Sequence, residues 1–312
     1  MVPTVLNAKA SGSQTDRRQM ILLLGGRGYV GQAFRKYLES RQIDYMSISR
    51  TDCDYTDTSS LVDLIHRTKP AFLINAAGYT GKPNVDACEL DRANCLAGNA
   101  VLPGIIRDAC ESTGLPWGHV SSGCIFTGRR GDGQGFTEDD PPNFSFRTNN
   151  SSFYSGTKAL GEEVLLGSES CYVWRLRIPF DRCDGPRNYL SKLINYDTLL
   201  EAENSISHLD DFARCCVESF ERKIPFGTYN VTNTGAVTTQ QVVEQIREHL
   251  LPTKSFRFFE NEPQFMKIAA KAPRSNCVMD NAKLRATGIR IRDVHEAIED
   301  SLRQWVWSNS EA

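Results

Sequence analysis

Apolar and polar positions along the chain settle into a repeating rhythm. Met20–Leu24 is a short unbroken apolar run that ends on Gly25, with further glycines at 28 and 31. Beyond it, Val30, Phe34 and Leu38 recur at spacings that fall on one face of a helix. The pattern predicts a buried first strand, a tight glycine turn and an amphipathic helix. Tyr45–Ser49 predicts a second strand, Leu61–Arg67 a helix, and Ala71–Asn75 a third strand running into Ala76, Ala77 and Gly78. A helical stretch follows from Val85 to Cys110, interrupted at Gly98. Pro116–Ser121, Ser152–Leu166 and Cys171–Ile178 then read as strand, helix and strand. Apolar strands separated by helices specify an α/β fold, a Rossmann-type doubly wound parallel sheet.

After Pro179 the elements shorten. Asp210–Arg222 and Thr239–Leu251 read as helices with a strand at Thr228–Thr232 between them, and Val294–Trp305 as the last helix. The expected division is a loose tail over 1–19, a dinucleotide-binding domain over 20–178 and 205–233, and a smaller C-terminal substrate lobe over 179–204 and 234–312. The segment Gly128–Asn150, rich in Gly, Asp, Asn and Pro, is expected to be a mobile loop beside the site.

Composition narrows the function. The 312 residues can bury a full-sized core, and a formal charge of -2 with 24% charged residues gives no basic surplus for nucleic acid or an anionic membrane. No apolar run approaches the ~20 residues of a membrane span, and the first nineteen residues lack an apolar signal core, so a cytoplasmic protein is expected. The ten cysteines show no C-x-x-C spacing and the five histidines are dispersed, so no metal site is expected. Most of the cysteines read as reduced, buried apolar residues.

Candidate chemistry collects where the strands end. Glycines at 25, 28 and 31 let backbone approach a diphosphate, whose charge the N–H groups of the following helix would meet. Arg50 follows the second strand, where the 2′-phosphate of NADPH would lie, and Arg27 in the glycine turn leans the same way; NADH is the alternative cofactor. Tyr154 and Lys158 stand four apart on one helical face, behind a strand that ends in Ser121 and Ser122. The lysine and an oxidised nicotinamide are expected to lower the phenol from its usual value near 10. Read alone, Cys124 is an inert buried thiol, Lys192 a solvated helix lysine, Asp54 a turn residue and Asn99 a helix kink.

Longer blocks change those four readings. Asn75-Ala-Ala-Gly-Tyr-Thr-Gly-Lys-Pro-Asn-Val-Asp86, Gly123-Cys-Ile-Phe126, Phe153-Tyr-Ser-Gly-Thr-Lys158, Pro186-Arg-Asn-Tyr189 and Ala272-Pro-Arg-Ser-Asn276 follow one another along the chain. Over roughly 20–306 the sequence resembles the extended short-chain dehydrogenases/reductases, in the branch of dTDP-4-dehydrorhamnose reductase. It is most similar there to the plant-type bifunctional nucleotide-4-keto-6-deoxyglucose 3,5-epimerase/4-reductases of rhamnose synthesis. Arg27 stands where the plant enzymes carry a small residue.

The resemblance implies an NADPH-dependent enzyme acting on a nucleotide-diphosphate sugar. Ser122 and Tyr154 would bond the C4 oxygen, and Lys158 would hold the nicotinamide ribose. Cys124 and Lys192 would exchange protons at C3 and C5. The cofactor would lie along Gly25, Arg27, Gly28, Tyr29, Val30, Gly31, Arg50, Asp54, Asn75, Ala76, Ala77 and Asn99. The sugar nucleotide would meet Thr80, Asn84, Asn188 and Arg274, with Arg187 either joining them or ordering its loop. Dehydratases of the fold carry an Asp-Glu pair where this chain has Gly123-Cys124, which disfavours dehydration. A 4-keto reductase without epimerase activity and a non-catalytic regulatory subunit are the competing expectations. A homodimer is the one assembly considered.

Overall fold

In a computed structural model the described residues are 20–82 and 84–308; the tail expected over 1–19 lies outside them. Strand β1 (Ile21–Leu24) is buried along its whole length because all four side chains are apolar and both sheet faces are covered. Helix α1 (Tyr29–Ser40) turns Gly31, Ala33, Phe34 and Leu38 inward, matching the period read in the sequence. Then come β2 (Tyr45–Ile48), α2 (Thr58–Thr68) and β3 (Phe72–Asn75). The Asp57 carboxylate caps α2 by accepting the Ser60 N–H.

The helical stretch after β3 is more broken than a single interruption at Gly98. It forms a 3-10 turn over Val85–Glu89, α3 (Arg92–Leu96), a π turn over Ala97–Val101 and α4 (Leu102–Thr113). Next are β4 (Trp117–Ser122), α5 (Phe153–Val164) and β5 (Cys171–Leu176). The second half contributes β6 (Pro179–Phe180), α6 (Tyr189–Asn195), β7 (Glu203–Asn204), β8 (Ser207–His208), α7 (Leu209–Glu221), β9 (Gly227–Asn230) and β10 (Val237–Thr238). It ends with α8 (Thr239–His249), α9 (Glu262–Ile268), α10 (Ala282–Ala286) and α11 (Val294–Arg303).

The six main strands form one parallel sheet in the order β2-β1-β3-β4-β5-β9. Winding reverses between β1 and β3, and the crevice at such a switch point is where doubly wound sheets take ligands. One core, with Phe34, Phe72, Trp174 and Phe212, fills the α1–α7 face. Another, with Leu61, Ile65, Ile106 and Trp117, fills the α2–α4 face. A third joins Phe180, Leu193, Val242, Ile246 and Ile298 among α6, α8 and α11.

Residues 128–150 differ from the expected mobile loop. Gly128 N–H donates to the Asn276 carbonyl at 2.6 Å, Phe136 N–H to Val278 at 2.8 Å, and Arg147 pairs with Glu163. The segment is anchored by these bonds, while 131–134 and 146–150 are exposed. Among the described residues no helix is long and apolar enough to cross a membrane.

Candidate active site

The glycine turn is built by close backbone contact. Gly25 holds φ +78°, and a Cβ there would lie 2.5 Å from the Ala77 nitrogen. A Cβ on Gly31 would lie 2.1 Å from the Gly25 carbonyl oxygen. A larger residue at 25 would collide with the loop after β3, and one at 31 would push α1 off the glycine turn. Gly28 is the N-cap of α1, with no side-chain cap and no acidic residue in the first turn. The first N–H groups, around Tyr29, Val30 and Gly31, are therefore open to an anion, which fits a diphosphate. Ala76 and Ala77 line the other side: Ala76 N–H donates to Leu24 and Ala77 N–H to the Asn75 side-chain oxygen at 3.0 Å.

Asn75 also fixes a histidine that sequence reasoning missed. Its amide nitrogen lies 2.9 Å from Nδ1 of buried His119. Since the Asn75 oxygen is taken by Ala77, the amide donates and Nδ1 accepts, leaving the proton on Nε2. Burial, with Lys158 adding to it, holds His119 neutral. Arg27 and Arg50 are exposed beyond the carboxyl ends of β1 and β2, with no ion pair among the described residues. Asp54 accepts the N–H and hydroxyl of Thr56, as a turn residue does.

Ser122 closes β4 and accepts the Cys124 N–H at 3.2 Å across the short turn Gly123–Ile125. The Ser152 hydroxyl caps α5, which sets Tyr154 in the first turn and Lys158 one turn later. The Lys158 ammonium donates to the Val120 carbonyl at 3.0 Å. Asn99, in the π turn, bonds both backbone atoms of Tyr79 and the Thr157 hydroxyl at 3.2 Å. It thus fastens the loop after β3 to α5 at the residue before Lys158, from the helix irregularity that its kink reading describes.

The protein's own groups act on the phenol in the opposite direction to a nicotinamide charge. Burial of its hydroxyl raises Tyr154 well above the ordinary value, and the bond to Ser122 opposes this only in part. Lys158 is engaged with Val120 and does not reverse it. The chain's own surroundings therefore favour the protonated phenol. Burial also raises the Cys124 thiol, against Ser122, Ser155, Arg177 and Lys158, and lowers Lys158.

The sugar-nucleotide candidates divide. Arg187 donates to the Thr80 hydroxyl at 2.7 Å and to the Gly81 carbonyl at 2.8 Å. Asn84 accepts the Asp86 N–H, and Asp86 receives the Arg274 fork at 2.6 and 2.8 Å. The fork expected to face a diphosphate is thus held by a carboxylate. Asn188 is fully buried: its oxygen caps α6 and its NH₂ serves the Asp181 and Cys183 carbonyls. With no polar atom left over, its expected contact with substrate gives way to a structural role. Lys192 is half-buried beside Arg187 and Arg274, and burial plus these two charges lowers its pKa. No hydrogen bond joins Lys192 to Cys124 among the described residues.

The sequence pattern of the RmlD substrate binding domain matches residues 19–306. The chain belongs to that family. Within it, the chain is 33% identical over 296 residues to the bifunctional dTDP-4-dehydrorhamnose 3,5-epimerase/dTDP-4-dehydrorhamnose reductase of Arabidopsis thaliana, covering 93% of this chain and 94% of the relative. Its fold is shared with the UDP-rhamnose synthase of Acanthamoeba polyphaga mimivirus, at TM-score 0.84, 24% identity and coverage of 91% and 99%. It is shared too with the dTDP-4-dehydrorhamnose reductase of Bacillus anthracis in complex with NADP, at TM-score 0.76, 18% identity and coverage of 92% and 98%. Against this family frame, Glu162, Arg175 and Arg177 stand out as buried or nearly buried charges that motif reading passed over. Two arginines in the otherwise apolar stretch 171–178 were the available signal.

Proposed function

We propose that the protein catalyses 3,5-epimerisation and 4-keto reduction of a UDP- or dTDP-linked 4-keto-6-deoxyglucose, giving the nucleotide-L-rhamnose, with NADPH as reductant. One observation carries this reading. Ser122, Cys124 and Tyr154 converge at the carboxyl end of β4, in the same sheet and at the same end as the uncapped glycine turn. The plant relative, bifunctional by name and aligned over nearly its whole length, supports it.

When bound, the nicotinamide supplies the hydride that reduces C4. Gly25, Gly28, Gly31 and the first N–H groups of α1 hold the diphosphate of the dinucleotide, with Asn75, Ala76 and Ala77 on the other side. Arg27 and Arg50, exposed and unpaired among the described residues, offer charge to a 2′-phosphate and favour NADPH. Lys158, oriented by Val120, holds the nicotinamide ribose. Ser122 and Tyr154 hydrogen-bond the C4 oxygen, which acidifies the hydrogens on C3 and C5 and steadies the enolate charge. Cys124 exchanges a proton at one of these carbons. Lys192 does so elsewhere on the ring, where burial and its two arginine neighbours ease the loss of its proton. Tyr154, protonated through burial, delivers its proton to the C4 oxygen as hydride arrives. Arg274 and Arg187 reach the substrate diphosphate by exchanging Asp86 and Thr80 for phosphate oxygens.

The test is turnover in deuterated water with NADPH and a nucleotide-4-keto-6-deoxyglucose. Deuterium is expected at C3 and C5 of the product. Cys124→Ser and Lys192→Ala should each lose label at one or both carbons. Full label in both variants removes Cys124 and Lys192 from the exchange, whereas a parent that reduces without label at C3 and C5 leaves a reductase only. No NADPH oxidation with any 4-keto-sugar nucleotide leaves a non-catalytic protein.

A further inference from the structure

Two arginines close the strand β5 region, and they are treated oppositely. Arg175 is matched by Glu162, which receives its Nε and Nη2 within 3.1 Å. Arg177 is 6% exposed and meets only neutral groups. Its Nη2 donates to the Asn204 side-chain oxygen at 2.6 Å and to the Ser275 carbonyl, while its buried Nε has no partner among the described residues. A guanidinium cannot shed its proton in a protein, and a buried charge without a counter-ion is held at a cost in solvation. Such a cost calls for a negative partner that forms elsewhere.

The geometry supplies one. Arg177 Cδ passes 3.5 Å from where a Cβ of Gly123 would stand, so the arginine stem runs against the turn that carries Cys124. That turn is otherwise apolar, packed by Ile125, Phe126, Phe136, Cys277 and Met279. The titratable and charged groups around the Cys124 sulfur among the described residues include Tyr154 and Lys158 from α5, Arg177 from beyond β5 and the Cys277 thiol, which donates to the Gly123 carbonyl, with the Ser122 and Ser155 hydroxyls beside it. Tyr154 holds its proton, and the Lys158 ammonium is directed to Val120.

We propose that Arg177 is a positioning residue for epimerisation, whose unneutralised charge stabilises the negative sulfur that Cys124 bears once its proton has left. This rests on the function proposed above. In the step concerned, the sulfur lone pair takes the proton from C3 or C5. The C–H electron pair moves into the bond toward C4, and the C4 oxygen becomes the enolate anion held by Ser122 and Tyr154. In reverse, the S–H proton returns to carbon and the sulfur is again negative. The positive field of Arg177 lowers the thiol's affinity for its proton in both directions, against burial that raises it. Asn204 matters to this arrangement because it binds the guanidinium without cancelling its charge.

The experiment is the pH profile of solvent-deuterium entry at C3 and C5, in the parent, Arg177→Met and Asn204→Asp. Asn204→Asp keeps the size and the acceptor oxygen but places a carboxylate on Arg177, neutralising it in place. Cys124→Ser identifies the limb of the profile that belongs to the thiol. That limb is expected to move up by about one pH unit in both variants, with exchange on it falling about tenfold at a given pH. Thermal midpoint and NADPH binding monitor folding, and should Arg177→Met fail to fold, Asn204→Asp decides. An unmoved limb in Asn204→Asp, or in folded Arg177→Met, overturns the inference while leaving the bifunctional reading intact. A parent that exchanges no deuterium, or whose exchange ignores Cys124→Ser, overturns the underlying function instead.

Discussion

Replacing Glu162 by Gln tests the buried pair that braces the site. The Glu162 carboxylate lies 3.0 and 3.1 Å from Arg175 Nε and 2.8 Å from Nη2, and it accepts the Ser121 hydroxyl at 2.5 Å. The two side chains are only 11% and 5% exposed. Gln keeps the shape and removes the charge, so Arg175 is left buried without a counter-ion. Breaking such a pair from one side costs about 3–5 kcal/mol, because the surviving charge has lost its solvation and gained nothing for it. At about 2 °C per kcal/mol for a chain of this size, the melting midpoint should fall by about 6–10 °C. Thermal unfolding followed by circular dichroism reads this directly. The double replacement Glu162→Met with Arg175→Met removes both charges from an apolar setting and should regain most of the loss. Glu162→Gln melting within about 2 °C of the parent, or a double variant no better than the single, would refute the reasoning. Because Glu162 also supports the Lys158 charge, the single variant should reduce more slowly as well.

Three further outcomes are expected. Tyr154→Phe should cut reduction about 10²–10⁴-fold while NADPH binding, followed by fluorescence, is retained; a loss below about tenfold counts against its role as proton donor. Arg50→Ala should narrow the gap between NADPH and NADH affinity measured by titration, and an unchanged gap removes Arg50 from 2′-phosphate recognition. His119 and His208 are held neutral chiefly by burial, His208 down to about 4, so below the ordinary value of 6.5 the unfolded chain binds protons that the folded chain refuses. Stability should therefore fall as pH drops from about 6.5 toward 4, and His208→Gln should flatten that slope in thermal scans; an equal slope contradicts the assignment.

Much of the fold was legible along the chain. Apolar runs of four to six residues and the inward face of α1 are local facts, since backbone periodicity alone decides which side chains share a face. The glycine turn was legible for the same reason: it lies within eleven residues and demands close backbone contact. Tyr154 and Lys158 share a helix, so their proximity was likewise written in their spacing.

What the sequence could not show depends on which distant segments meet. That Asp86 occupies Arg274, across 188 positions, is set by packing of the lobe on the loop after β3. The burial that raises the Tyr154 phenol is a property of surroundings, supplied here by Cys124, the 125–126 turn and the segment from 277 to 279, and spacing along the chain does not encode it. The polar run 128–150 reads as a loose loop until partners at 276–280 and 230 take up its backbone groups. Arg175 and Arg177 differ by two positions and look alike in sequence. Only the folded chain gives one of them Glu162 and leaves the other without a counter-ion among the described residues, because a counter-ion is a matter of three-dimensional distance.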